Sequence, residues 1–270
     1  MNRIDQKFSD LKQKNEKALV GFLTAGDPDY SRSLEIISAM CDAGLDVLEL
    51  GVPFSDPTAD GPVIQRSSAR SLAKGMKMAG VLRMTAELRR HIDIPIVLFS
   101  YYNPIHAFGV EAFHREAVSA GADGVLVVDL PLEESAEMTS RWPDDRLSLI
   151  RLVAPTTPPQ RMALISETAA GFLYLVSKTG VTGSAGVDWN EIRTTYATLH
   201  GHTTLPVCVG FGIASAEDVA TVASIAEGVV IGSAFERMIE ENLTTAARLP
   251  SALAENVALF KAATRKDAGD

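Results

Sequence analysis

Short apolar segments rich in β-branched residues alternate along this chain with segments whose apolar residues recur at helical spacing. Leu34, Ile37 and Cys41, for example, repeat on one face of a predicted helix. The alternation predicts βα units around a parallel sheet. Eight apolar segments are predicted strands: residues 19–24, 47–50, 94–99, 124–128, 147–153, 171–176, 205–209 and 228–231.

The ends of several helices can be predicted from the sequence. Ser215, followed by Glu217 and Asp218, predicts an N-cap with acids in the first turn, where they favour the helix dipole. Two helices fit between the second and third strands, and two more follow the eighth strand. The predicted ranges of these four are residues 63–73, 78–90, 234–242 and 252–263.

Eight βα units favour a (β/α)8 TIM barrel over an open, doubly wound sheet, which usually has fewer strands. No Pro-, Gly- or Ser-rich linker divides the sequence. We therefore expect an α/β fold in which residues 1–270 form one barrel domain with extra helices, and the open sheet is the alternative.

Composition narrows the range of partners. Of 270 residues, 46% are hydrophobic and 22% charged, which is typical of a globular protein. A net charge of −9 without a basic block argues against nucleic acid or an anionic membrane as a partner. No apolar run approaches the roughly 18 residues that span a bilayer, and the polar first 17 residues do not resemble a signal peptide. We expect a cytoplasmic protein.

Glu49 is the most informative residue, because it lies within an apolar predicted strand. Alternation places Val47 and Glu49 on one face of that strand, and Glu49 is close to its carboxyl end. In parallel α/β folds this is the end where ligands bind. An ionised carboxylate costs several kcal/mol in an apolar site unless it is paired or its pKa rises. General acid–base chemistry would explain such a residue; the alternative is an ion pair with a neighbouring strand.

Other residues near the same end of the predicted sheet are less specific on their own. Asp60 lies in a Pro- and Gly-rich loop, where aspartate commonly forms turns, but beside Glu49 it is a candidate second polar anchor. Phe22, Tyr101 and Tyr174 lie near predicted strand ends and could enclose a flat aromatic ligand; ordinary packing at the barrel mouth is the alternative.

Glycine-rich turns follow the last three predicted strands: Gly180-Val181-Thr182-Gly183, Gly210-Phe211-Gly212 and Gly232-Ser233. Gly232-Ser233 also precedes a predicted helix, whose first N–H groups and dipole would attract an anion. Together the turns predict a phosphate site, against the alternative that they only suit the backbone. A dinucleotide site is disfavoured because Ser215 occupies the place of the third Gly or Ala in that motif.

The five histidines, His91, His106, His114, His200 and His202, are expected at helix ends or in loops. Their spacing suggests no metal ligands, so we predict no metal site. This argues against a metal-dependent sugar-phosphate epimerase, which would need histidines at several strand ends.

Several motifs extend over essentially the whole chain. They are residues 48–65, Gly26-Asp27-Pro28, Tyr102-Asn103-Pro104, Asp129-Leu130-Pro131, Gly180-Val181-Thr182-Gly183, Gly210-Phe211-Gly212-Ile213 and Gly232-Ser233. Together they resemble the tryptophan synthase alpha subunit family.

This resemblance implies a lyase of tryptophan biosynthesis that cleaves indole-3-glycerol phosphate to indole and glyceraldehyde 3-phosphate by a retro-aldol reaction, with no cofactor in this subunit. It implies that Glu49 is the acid–base at the substrate 3′-hydroxyl and ring C3. Asp60 would accept a hydrogen bond from the indole N–H and remain ionised. Thr182 would belong to a mobile lid and bond to Asp60.

The resemblance also assigns residues to the two ends of the substrate. The indole pocket would comprise Phe22, Phe99, Tyr101, Leu126, Leu152 and Tyr174. The phosphate would be held by Gly183, Gly212, Gly232 and Ser233.

A partner is implied as well. The family forms an α2β2 heterotetramer in which indole passes to a pyridoxal-phosphate beta subunit, and the loop 53–60 and Asn103-Pro104 resemble its contact surface. Two alternatives are a stand-alone indole-releasing lyase and a mainly regulatory phosphate-binding subunit.

Overall fold

The computed structural model describes residues 2–177, 187–210 and 212–265. Eight strands form a closed barrel in chain order, and every neighbouring pair is parallel. The predicted (β/α)8 barrel is confirmed. The strands are β1 Ala18–Thr24, β2 Val47–Gly51, β3 Ile96–Ser100, β4 Gly124–Val127, β5 Ser148–Val153, β6 Leu173–Val176, β7 Val207–Gly210 and β8 Gly228–Ile231.

Prolines explain where two strands start later than predicted. β3 and β7 begin directly after Pro95 and Pro206, because proline has no N–H to donate to a strand ladder. The carbonyls of the same prolines still accept hydrogen bonds from Leu48 and Leu173. β6 also starts later than predicted, because Gly171 has a φ of 78° and is not extended.

The helices surround the barrel, and those predicted from the sequence are present with ends shifted by a few residues. Ser215 caps α10 with a capping box that includes Asp218. The helices are α1 Arg3–Gln13, α2 Tyr30–Asp42, α3 Pro62–Ala73, α4 Met78–Leu88, α5 Tyr102–Phe108, α6 Val110–Ala120, α7 Ser135–Thr139, α8 Pro159–Glu167, α9 Trp189–His200, α10 Ala216–Ala223, α11 Ser233–Glu241 and α12 Leu249–Ala263.

Helix α1, which the sequence analysis missed, packs against the barrel interior. Its residues Ile4, Phe8 and Leu11 are buried and belong to the same apolar cluster as the inward-facing side chains of the strands. The Phe8 and Phe172 rings lie 5.8 Å apart. Phe172 directly precedes β6, so α1 closes the amino-terminal end of the barrel.

None of the helices in the described ranges combines the length and apolar character that crossing a bilayer requires.

Candidate active site

Glu49 lies in the barrel interior, on β2 between Phe22 of β1 and Val97 of β3. Its side chain is buried, with 1% of its surface exposed, and Oε1 has no hydrogen bond partner in the described part of the chain. Burial without a neighbouring cation raises the pKa of Glu49 to about 8. The carboxyl group therefore carries a proton at neutral pH and can donate it.

Asp60 lies in the loop between β2 and α3 and is half-buried. Burial raises its pKa to about 6, and a polar interaction with the Tyr101 hydroxyl opposes that rise. The same hydroxyl accepts a hydrogen bond from the backbone N–H of Ala59 at 2.9 Å. At neutral pH Asp60 is mostly ionised, so the two acids carry different charges.

Aromatic and aliphatic side chains surround Glu49. Phe22 and Phe99 meet edge to face, with ring centroids 5.1 Å apart. Tyr174 is buried in the same interior cluster, and burial next to Glu49 raises the pKa of its phenol well above the usual value. Leu126 and Leu152 complete this apolar wall, Leu126 fully buried and Leu152 partly so.

The indole pocket includes a residue that was not expected, and one expected residue, Tyr101, lies at its edge. Ile64, which was not assigned to the pocket, packs against the interior cluster, and so does Val128. Strand alternation from Leu126 places Val128 on the same inner face. Tyr101 instead lies beneath the loop that carries Asp60, with its ring 5.3 Å from that of Phe54.

Gly210 is a close neighbour of the pocket. A Cβ atom at Gly210 would lie 2.2 Å from the Tyr174 hydroxyl oxygen, so the tyrosine occupies space that only glycine leaves free. The sequence analysis read this glycine only as part of a turn.

The expected phosphate residues are only partly described. Gly232 and Ser233 lie at the amino terminus of α11, the helix that the sequence predicted directly after them. The first N–H groups of a helix have no partner within the helix. Their binding to a phosphate stays a prediction. Gly212 is exposed and has a φ of 78°, a conformation that favours glycine. Thr182 and Gly183 lie outside the described residues.

A buried acidic pair, which the sequence analysis did not predict, lies at the start of α11. Glu236 is fully buried; its Oε1 accepts a hydrogen bond from the Thr24 N–H at 2.5 Å, and burial together with Asp27 raises its pKa well above the usual value. Arg70 donates two hydrogen bonds to Asp27 at 2.8 and 2.7 Å. These contacts join β1, α3 and α11 beneath the helix terminus.

Within the described ranges, no three His, Cys, Asp or Glu residues are grouped so that they could hold a metal ion. One expectation about histidines was wrong: His114 lies inside α6 and is fully buried. It packs against Trp142, with ring centroids 5.1 Å apart. Because His114 lies within α6 and belongs to no group of potential metal ligands among the described residues, it is a packing residue.

A closed parallel barrel with a protonated glutamic acid in its interior and an ionised aspartate in the loop after the same strand is typical of (β/α)8-barrel enzymes that use acid–base chemistry. A family model described as "Tryptophan synthase alpha chain" matches residues 8–265. The chain belongs to this family. It is a carbon–carbon lyase of tryptophan biosynthesis, and membership implies a beta subunit as partner.

Related proteins match this chain over nearly its whole length. The tryptophan synthase alpha chains of Desulfosudis oleivorans and Desulfatibacillum aliphaticivorans are 60% and 58% identical, over 98% of this chain and 100% of each relative. A crystal structure of tryptophan synthase subunit alpha from Legionella pneumophila str. Paris is 37% identical, with a TM-score of 0.90 and 98% of both chains covered. A structure of Mycobacterium tuberculosis tryptophan synthase is 31% identical, with a TM-score of 0.89, covering 98% of this chain and 99% of that one.

Proposed function

We propose that this chain cleaves indole-3-glycerol phosphate with Glu49 as the acid–base and Asp60 as the electrostatic partner of the indole ring. The observation that carries the proposal is the buried Glu49 carboxyl group, whose Oε1 has no hydrogen bond partner among the described residues and whose pKa is about 8. A protonated acid in an apolar chamber is suited to protonating a carbon atom.

In this scheme Glu49 gives up one proton and takes one back. It first protonates ring C3, and the positive charge spreads to the ring N–H, where the Asp60 carboxylate stabilises it. The Glu49 carboxylate then removes the proton of the 3′-hydroxyl. As the aldehyde forms, the bond between C3 and the hydroxyl-bearing carbon breaks, and its electrons restore the indole ring.

Binding of the two ends of the substrate positions it for this proton transfer. The indole ring would lie among Phe22, Phe99, Leu126, Leu152 and Tyr174, with Tyr101 supporting the loop of Asp60. The phosphate would bind the amino terminus of α11 at Gly232 and Ser233, together with Gly212 and Gly183. Thr182 would close over Asp60 and exclude water.

Family membership supports the remaining assignments, which are part of the proposal. The active assembly is an α2β2 heterotetramer, with loop 53–60 and Asn103-Pro104 at the contact with the beta subunit. Pyridoxal phosphate belongs to that partner, and the scheme above gives this chain no cofactor. The protein works in the cytoplasm, and residues 1–270 form a single barrel domain.

An indole-release assay tests the proposal, with the chain alone and with a cognate beta subunit. Glu49→Gln and Asp60→Asn should each reduce kcat by at least about two orders of magnitude in both settings, the usual contribution of a positioned acid–base group. Glu227→Gln is the matched control. Glu227 is a half-buried glutamate that accepts hydrogen bonds from Tyr196 and Val207 at the opposite end of the barrel, and its variant should retain activity.

Near-normal cleavage by both Glu49→Gln and Asp60→Asn would refute these roles. Absence of turnover in the unmodified chain, with and without the beta subunit, would refute the lyase assignment itself.

A further inference from the structure

A cavity of about 420 Å³ opens where strands β4 and β5 separate. Pairing between β4 and β5 ends at Leu126 and Ile150, whereas β5 continues to pair with β6 as far as Val153 and Leu175. Because one edge of β5 is free near its carboxyl end, the cavity extends from the mouth of the barrel to the outer side of the sheet. Val128 and Leu152, at the side of the indole pocket, line the inner part of the cavity, and Leu132, Leu149 and Ile165 line its outer part.

Arg151 also lines this cavity, and none of the described residues provides a counter-ion for its charge. It lies on β5 between the inward-facing Ile150 and Leu152, so its side chain projects to the outer side of the sheet. Only 9% of its surface is exposed, and within the described ranges no carboxylate lies within 4 Å of it. Burial lowers its pKa, without a neighbouring acid to oppose the change.

Two protein contacts hold the guanidinium but leave donors free. Nη2 donates to the Ser135 hydroxyl at 2.9 Å, and Nε reaches the Thr168 carbonyl at 3.4 Å, a long contact. A guanidinium has five N–H donors, and neither acceptor carries a full negative charge. Nη1 makes no hydrogen bond to the described residues and is not completely buried.

The other charged groups on the cavity do not neutralise Arg151. Arg161 is paired with Glu133 through two hydrogen bonds, at 2.5 and 2.9 Å. Asp129 is exposed at the rim, where its Oδ1 accepts the Tyr102 N–H at 2.7 Å. Among the described residues that line this cavity, Arg151 is therefore the one whose charge is not neutralised, and it lies beside an apolar wall.

We propose that this cavity is a second binding site, for a small carboxylate with an apolar body. The carboxylate would bind the free guanidinium donors of Arg151, which suit a planar anion, and the apolar body would contact Leu132, Leu149 and Ile165. The volume lies within the usual range of small-molecule pockets. A bound anion would compensate a buried charge that otherwise costs folding free energy.

Calorimetric titration with benzoate tests this proposal, with benzamide as an uncharged ligand of the same shape. The matched variants are Arg151→Met, which retains much of the volume without the charge, and Arg161→Met, which removes the arginine that already has a partner. Benzoate should bind the unmodified chain and Arg161→Met with similar affinity. Arg151→Met should weaken benzoate binding about tenfold or more, the scale of a lost charge-assisted hydrogen bond. Benzamide should bind the unmodified chain and Arg151→Met with equal, weak affinity.

A second readout locates the ligand. The Arg151 Nε–H resonance, identified by its loss in Arg151→Met, should shift when benzoate is added. Thermal unfolding without ligand should show that Arg151→Met is at least as stable as the unmodified chain, because a desolvated charge has been removed.

Three results would overturn the proposal: equal benzoate affinity in Arg151→Met, shifts confined to the indole pocket, or no binding up to about 20 mM, beyond the millimolar range of weak ligands. A loss of stability in Arg151→Met with unchanged benzoate affinity would identify a purely structural residue. None of these results depends on the lyase activity.

Discussion

The Tyr101 hydroxyl accepts a hydrogen bond of 2.9 Å from the backbone N–H of Ala59. This contact joins the end of β3 to the residue before Asp60, and the same hydroxyl lowers the pKa of Asp60 against the effect of burial. One side chain therefore sets both the position and the ionisation of the proposed electrostatic partner.

Replacing Tyr101 with phenylalanine should separate these two effects. Without the hydroxyl, the pKa of Asp60 should rise above about 6, because the interaction that lowers it is gone. The acidic limb of the kcat/KM profile should move to higher pH, and kcat at the optimum should fall about tenfold because the loop is less well positioned. Tyr102→Phe is the control, since within the described residues the Tyr102 hydroxyl donates a hydrogen bond to the exposed Glu137 and makes none to the Asp60 loop. An unchanged acidic limb in Tyr101→Phe would contradict the assignment.

The unmodified chain should show a bell-shaped dependence of kcat/KM on pH. Cleavage requires Asp60 ionised and Glu49 protonated, and their pKa values are about 6 and about 8. Activity should therefore fall below pH 6, as Asp60 gains a proton, and above pH 8, as Glu49 loses one. Steady-state indole release between pH 5 and 9.5 measures both limbs, and a basic limb that persists in the residual activity of Glu49→Gln would assign it to another group.

Glu49 should also reduce folding stability as the pH rises. The pKa of glutamic acid, ordinarily 4.5, is about 8 for Glu49 in the folded chain, so the folded state binds more protons between these values. The free energy of unfolding should therefore fall across that window by about 4–5 kcal/mol on account of this residue. Urea denaturation at pH 5 and 9 should show that Glu49→Gln gains stability relative to the unmodified chain at the higher pH.

Glu240→Gln provides the contrast for that experiment. The pKa of Glu240 is lowered, chiefly by its hydrogen bonds from Arg66, so the carboxylate form is favoured by folding. Its variant should show no such gain at pH 9. A gain of the same size in both variants would mean that the effect does not arise from Glu49.

Gly210→Ala should disrupt the pocket through Tyr174. The new Cβ would lie 2.2 Å from the Tyr174 hydroxyl oxygen and 2.9 Å from Val230 Cβ, so the tyrosine must move. We expect a loss of about 1–3 kcal/mol in stability, typical of overpacking, and a lower kcat/KM. A smaller residue at position 174 should recover part of the loss, and a double-mutant cycle measures this coupling. Strictly additive effects would contradict the predicted clash.

The alternation of strand and helix patterns was sufficient to predict the barrel, because the buried strands form short apolar runs separated by clear helical patterns. Glu49 could be identified from sequence since a charged residue within such a run is conspicuous. Helix α1 was missed because most of its residues are polar, so that Ile4, Phe8 and Leu11, which repeat on one face, form only a sparse apolar pattern.

Contacts between distant segments could not be predicted in the same way. Asp27 and Glu236 meet only once β1 and α11 are adjacent in the barrel. Whether Arg151 has a counter-ion depends on which side chains from α7 and α8 reach β5. Neither relationship has a local signature, because both depend on pairings between residues far apart in sequence.

The amino-terminal helix limits the routes by which substrate can enter and products can leave the active site. Ile4, Phe8 and Leu11 fill the amino-terminal end of the barrel interior. Entry of substrate and exit of products therefore depend on the opposite rim, which is formed by the loops after the strands. A beta subunit seated on that rim would control both directions of exchange. Removal of α1 should then let solvent reach the barrel interior from its amino-terminal end. Turnover would no longer depend on whether the beta subunit closes the rim.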